Sequence, residues 1–159
     1  IKYLIAGDGD YAYKKELKKL VKQMNLESYV YFLGHVDGNN KIELYNLCDV
    51  YVMNSLPFDS LGGAEGFGIT FLEANACGKP VVGTKAGGIP DAISNNKNGI
   101  LVEPDNPEET AKAIIQILKN KKKYRALSKG GIERIKNEFD IKLIGEKYKL
   151  LIEELYDSL

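Results

Sequence analysis

The sequence has no tryptophan, one histidine (His35) and two cysteines (Cys48 and Cys77) in 159 residues. One imidazole and two thiols are a poor ligand supply for zinc. Two cysteines are also too few for the disulfide framework of a small secreted domain, so both thiols are expected to be reduced and structural. Net charge is missing as well: 22 Lys+Arg balance 22 Asp+Glu. That balance removes the global electrostatic argument for nucleic acid or an anionic membrane and leaves a small ligand open. No apolar run approaches the ~18 residues of a membrane span, and the N-terminus lacks a charged-then-apolar signal layout. A cytoplasmic protein is expected. The run Lys119, Lys121, Lys122, Lys123 reads first as a solvated helix end, with peripheral contact at the cytoplasmic membrane surface as the alternative.

What is present is an alternation of short apolar runs with amphipathic stretches, in a length that suits one domain. Lys2 to Ala6 reads as a buried strand ended by Gly7-Asp8-Gly9. Tyr13, Leu17, Leu20, Val21 and Met24 then form one stripe of a helix. Further strands are expected at Val30 to Leu33, Val50 to Met53, Val81-Val82 and Ile100 to Val102. The helices between them are expected at Asn40 to Cys48, Ile69 to Cys77 and Ile89 to Ser94. Asp105 or Asn106 can cap the next helix, whose core stripe is read as Ala111, Ile114, Ile115 and Leu118. Helices over about Lys122 to Asn137 and Ile141 to Tyr156 finish the chain. About five apolar strands alternating with helices imply an α/β, Rossmann-like, doubly wound parallel sheet with helices on both faces and extra C-terminal helices. Ligands of such sheets sit at the carboxyl ends of the strands. The loops that matter are therefore Gly7 to Tyr11, Gly34 to Lys41, Asn54 to Gly68 and Gly83 to Pro90.

The segment from Glu65 to Glu73 carries the most chemistry. Gly66 and Gly68 let the backbone approach a ligand closely, and the helix beyond them turns unpaired N–H groups and its positive dipole end back toward the loop. A phosphate suits that place. Glu73 could accept hydrogen bonds from paired hydroxyls such as those of a ribose, or it could be a solvated helix residue with Glu65 as a favourable dipole partner. Asp8-Gly9-Asp10 follows a strand and reads as a turn rather than a metal site. His35 has no sequence-placed partner for a catalytic triad.

These features, in order, resemble the nucleotide-sugar-binding C-terminal domain of the family 4 retaining GT-B glycosyltransferases (glycosyl transferases group 1). The matching strings are IAGDGD at 5 to 10, YFLGHV at 31 to 36 and LCDVYVMNS at 47 to 55, then EGFGITFLEANACGKPVVGT at 65 to 84, GGIPDAI at 87 to 93 and NGILVEPDNPEETAKAI at 98 to 114. The resemblance implies that Glu65 is the catalytic-site carboxylate on the donor-sugar hydroxyls. It places the backbone of Phe67, Gly68 and Ile69 and the hydroxyl of Thr70 against sugar and diphosphate, Glu73 on the ribose, and His35, Val36 and Lys41 around the base. It implies no metal and no cofactor, the substrate being a nucleotide-diphosphate sugar.

In the family, a basic Arg and Lys that grip the diphosphate come from a strand and loop upstream of the IAGDG-like strand. Residues 1–159 are accordingly expected to be a donor-binding domain lacking its first βα unit and the whole N-terminal acceptor domain. The expected partners are the nucleotide sugar, that N-terminal domain, and an acceptor glycan, lipid or small molecule, with no nucleic acid. The full protein is expected to transfer a hexose-type sugar to a hydroxyl with retention, and the isolated chain to be inactive. The alternatives are a non-catalytic nucleotide-binding module and a related GT-B epimerase or phosphorylase. Two departures from the family pattern are Asn54-Ser55 in place of Pro-Ser and a longer stretch from Leu56 to Ala64.

Overall fold

The computed structural model describes residues 1–57 and 65–158; most of the long stretch from Leu56 to Ala64 therefore lies outside the described residues. The chain divides into two compact units, Ile1–Leu44 and Tyr45–Leu159.

In the first unit β1 (Tyr3–Ala6) and β2 (Val30–Gly34) pair in parallel, with Tyr3 opposite Val30, and α1 (Tyr11–Gln23) makes the crossover. The Asp10 carboxylate caps α1 by accepting the Tyr13 N–H at 3.0 Å. Asp8 accepts from Lys14 Nζ at 3.2 Å and from the His35 N–H at 3.1 Å. Asp8-Gly9-Asp10 is thus a turn that starts a helix and ties it to the end of β2. The Lys14 hydrogen bond is the main reason the Asp8 carboxyl titrates below its usual range.

One expectation fails here: β1 is not a buried strand. Tyr3 is exposed, and Leu4 and Ile5 are only part-buried. Along α1, Leu17 and Val21 are half-buried while Tyr13, Leu20 and Met24 are exposed. Two paired strands offer a narrow apolar strip, too little to cover a full helix stripe.

α2 (Gly38–Leu47) leads into the second unit. There β3 (Tyr51–Met53), β4 (Val81–Thr84) and β5 (Gly99–Val102) form a parallel sheet in that order, Val52 opposite Val82 and Val82 opposite Ile100. The two-residue period of the strands sorts the core onto two faces. Val81 packs with Phe71 and Ala74 of α3 (Ile69–Ala76) and with Ile89 and Ala92 of α4 (Ile89–Ala92). Val82, Ile100 and Val102 pack with Ala113 and Ile117 of α5 (Pro107–Lys119) and Leu127 of α6 (Lys121–Arg134). Phe71, Ile89, Val81, Val82, Ile117 and Leu127 are all essentially inaccessible, each burial favouring the fold by about 1.5–3 kcal/mol. Among the described residues a parallel pair in the first unit and a three-stranded parallel sheet in the second, the latter with helices on both faces, agree with the sequence-based α/β, Rossmann-like fold class.

Details differ from expectation in three places. The α5 stripe is Thr110, Ala113 and Ile117, with Ala111 and Ile115 exposed. Thr110 turns inward because its hydroxyl accepts from Asn54 Nδ2 at 3.0 Å and donates to the Asn106 carbonyl at 3.1 Å, so a polar residue takes a core position that hydropathy assigns to its neighbour. α4 stops at Ala92 rather than Ser94: the Ala92 carbonyl accepts from Asn98 Nδ2 at 3.1 Å and Arg134 Nη1 at 2.7 Å, replacing the next helical donor. α6 ends at Arg134 and passes through a π-helical turn, Ile135–Phe139, into α7 (Ile141–Asp157). Asn106 is the cap of α5, accepting the Glu109 N–H at 3.0 Å. Within the lysine run, Lys123 bonds Asn96 and Gln116. Among the described residues no helix is long and apolar enough to cross a membrane.

Candidate functional site

The loop that enters α3 is shaped by Gly68, which sits in the left-handed region (φ 86°, ψ 56°). A β-carbon there would also press to 2.5 Å from the Phe71 ring, so both conformation and space call for glycine. Gly68 has no side chain to cap the helix, and the first N–H groups of a helix have no partner within it. Glu65 supplies one: its Oε1 accepts the Gly68 N–H at 3.0 Å and the Phe67 N–H at a longer 3.5 Å. A carboxylate oxygen therefore already occupies the entrance to α3, where the helix dipole favours negative charge. The arrangement can hold an anion by backbone alone.

From the other side the loop is seated on the turn after β4. The Gly88 N–H donates to the Glu65 carbonyl at 3.0 Å. A β-carbon on Gly88 would collide with the Gly66 carbonyl. Thr84, buried at the carboxyl end of β4, accepts the Ser55 N–H at 3.0 Å and donates to the Ser55 carbonyl at 2.7 Å. The start of the loop after β3 is thereby pinned to the next strand.

One turn into α3, Glu73 Oε2 accepts the Tyr45 hydroxyl proton at 2.8 Å. Tyr45 is buried, edge-on to Tyr51 at 5.6 Å, and Tyr51 is edge-on to Phe71 at 5.6 Å. Burial, then the Glu73 carboxylate, push the Tyr45 pKa far above its ordinary value. Glu73 is half-buried and oriented by a neutral phenol, which excludes the freely solvated side chain that the sequence left open.

Among the residues singled out in the sequence, Glu65, Phe67 and Gly68 form one hydrogen-bonded group. Thr70 lies on the first turn of α3 with its hydroxyl 3.7 Å from Met53 Sδ, and Ile69 beside it is exposed. His35, Val36 and Lys41 belong to the first unit, after β2 and in α2. The His35 backbone N–H is taken by Asp8, and its ring is largely exposed, 4.0 Å from Asp37. Among the described residues no His, Cys, Asp or Glu cluster could hold a metal ion.

Sequence reasoning missed Tyr45; Thr84 and Gly88 fell within a loop it singled out, Gly83 to Pro90, but their hydrogen bonds to the Ser55 and Glu65 backbone were not foreseen. Tyr45 looked like one more apolar position of a short helix.

The family model described as "Glycosyl transferases group 1" matches residues 1–134. The chain is similar to the N-acetyl-alpha-D-glucosaminyl L-malate synthase of Bacillus anthracis, 33% identical over 94% of this chain and 36% of that protein. It is also similar to the Anabaena protein Alr3699/HepE, whose crystal structure holds UDP-glucose: TM-score 0.83, 30% identity, covering 99% of this chain and 41% of that one. A third is the crystallised C-terminal domain of a glycosyl transferase group 1 family protein (LpcC) from Francisella tularensis, with TM-score 0.69 and 31% identity over 83% of this chain and 65% of that domain. The chain thus spans about two-fifths of the length of the first two relatives.

Proposed function

The chain belongs to the glycosyl transferases group 1 family, and we propose that it is the donor-binding domain of a GT-B glycosyltransferase that moves a sugar from a nucleotide diphosphate to a hydroxyl with retention of configuration. The observation that carries the reading is the Glu65 carboxylate on the Gly68 and Phe67 N–H groups: the loop before α3 binds a negatively charged oxygen. A donor diphosphate taking those N–H groups displaces the carboxylate, which is then free to accept the hydroxyls of the donor sugar. Glu73, held by Tyr45, accepts the ribose hydroxyls. Ile69 N–H and the Thr70 hydroxyl add donors near the phosphate.

The reaction is driven by placement. The sugar–phosphate bond breaks as the acceptor hydroxyl attacks from the same face, and the departing diphosphate oxygen helps to take the acceptor proton. Charge developing on that diphosphate is stabilised by the fixed N–H groups and dipole of α3, which need no reorganisation when the charge appears. Closure against an acceptor domain excludes water and aligns the two substrates. No protein nucleophile and no metal enter the scheme, and a chain without the acceptor domain transfers nothing. The intact protein works in the cytoplasm, at the membrane surface if its acceptor is a lipid.

Amide chemical shifts recorded during titration with UDP, GDP and ADP test the reading. Saturable shifts at Phe67 to Thr70, lost for Glu73→Ala, are expected. Binding that Glu73→Ala leaves unchanged removes the ribose assignment, and sugar transfer by the isolated chain removes the half-enzyme reading.

A further inference from the structure

The loop from Glu65 to Gly68 also leans on an element beyond the motifs. The Phe67 ring packs on Phe139, centroids 5.7 Å apart and planes tilted by 58°. Phe139 closes the π-helical turn after α6. Such a turn carries an extra residue relative to α-helix, so it rotates the next residues away from the position an unbroken α6 would give them; π turns inside helices frequently mark functional sites.

Phe139 in turn lies against the Arg134 guanidinium, whose carbon is 5.1 Å from the ring centroid. Arg134 is well anchored. Nε donates to Glu138 at 2.9 Å, Nη1 to the Ala92 carbonyl and Nη2 to the Asp91 carbonyl, both at 2.7 Å, and its side chain is 13% exposed. One guanidinium therefore fastens the π turn to the end of α4, the same short helix whose leading glycine, Gly88, holds the Glu65 carbonyl. The loop is supported at Glu65 and Gly66 by Gly88 and at Phe67 by Phe139, and Arg134 joins the two supports.

We propose that Phe139, held in place by Arg134, is a positioning residue for the donor loop: it keeps the Phe67 and Gly68 N–H groups aimed at the donor diphosphate. The functional half of this inference rests on the donor-site reading; the loop-bracing half does not.

The test compares wild type, Phe139→Leu and Phe139→Tyr by native-state amide hydrogen exchange. The leucine keeps apolar bulk and loses the ring. It is expected to speed exchange at Gly68 and Gly88 by about 3- to 10-fold, the range set by one aromatic pair, while Val82 and Ile100 in the central strands keep their rates. Phe139→Tyr is expected to restore wild-type rates, and Phe139→Leu to weaken UDP binding by a similar factor. Unchanged exchange at Gly68 and Gly88, or equal acceleration at Val82 and Ile100, overturns the brace. If the three proteins show the expected exchange pattern but wild type binds no UDP, GDP or ADP, the donor-site reading fails and the brace stands.

Discussion

Tyr45 offers a test in which the sign and size of the effect come from the structure. Its hydroxyl is buried and donates to Glu73 at 2.8 Å. Burial first, and the adjacent carboxylate second, hold its pKa far above the ordinary value of 10.0. Below that ordinary value folded and unfolded chains both keep the phenolic proton. Above it the unfolded chain releases the proton and the folded chain does not, so the stability Tyr45 contributes is full below about pH 10 and is lost as pH rises. One such group lowers the unfolding free energy by RT ln(1 + 10^(pH − 10)), which is about 0.4 kcal/mol at pH 10 and about 1.4 kcal/mol at pH 11. Tyr45→Phe deletes both the titration and a hydrogen bond to a charged acceptor, the latter costing about 1–3 kcal/mol near neutral pH. Wild type is therefore expected to exceed the variant by about 1–3 kcal/mol at about pH 8, and the gap to shrink by about 1.4 kcal/mol at about pH 11. Urea unfolding of both proteins at matched ionic strength measures the gap directly. The other tyrosines, Tyr124 with its burial-raised pKa among them, are common to both chains and cancel. A gap that stays constant between these pH values refutes the bonded, buried phenol.

Other substitutions probe the supports of the loop. Gly88→Ala forces a β-carbon onto the Gly66 carbonyl; it is expected to cost about 1–3 kcal/mol in urea unfolding and to abolish nucleotide-induced shifts at Gly68. Thr84→Val removes both hydrogen bonds to the Ser55 backbone, with an expected loss of about 1–3 kcal/mol; a neutral result in thermal unfolding would contradict the pinning of the loop by this hydroxyl. Glu65→Ala takes away the partner of the Gly68 N–H and is expected to lower stability by about 0.5–2 kcal/mol, the range of a lost N-cap. Calorimetric unfolding indistinguishable from wild type would contradict the capping geometry.

Much of the fold was legible because period and punctuation agree. Val81-Val82 and Ile100 to Val102 are short and apolar throughout, as strands covered on two faces must be, and Phe71 and Ala74 supply the helix that covers one of them. What the sequence hid were cases where a hydrogen bond overrides hydropathy. Thr110 is buried because Asn54 and the Asn106 carbonyl satisfy its hydroxyl. Asn75 and Asn98 are fully buried and bonded to each other at 2.7 Å. The π turn is equally silent, since Ile135 to Phe139 continues an ordinary helical composition. At the site, the two glutamates and two glycines stood out by spacing. Their partners did not: Tyr45 and Gly88 are distant in sequence, and only folding brings a phenol to Glu73 and a backbone N–H to the Glu65 carbonyl.

A crystal structure of the protein with UDP tests most directly whether the loop before α3 and Glu73 together grip a nucleotide diphosphate. Diphosphate oxygens are expected on the Phe67 and Gly68 N–H groups, with the Glu65 carboxylate displaced from them and both ribose hydroxyls on Glu73, Tyr45 still bonded behind it. UDP bound elsewhere, with Glu65 still on the Gly68 N–H, would contradict it.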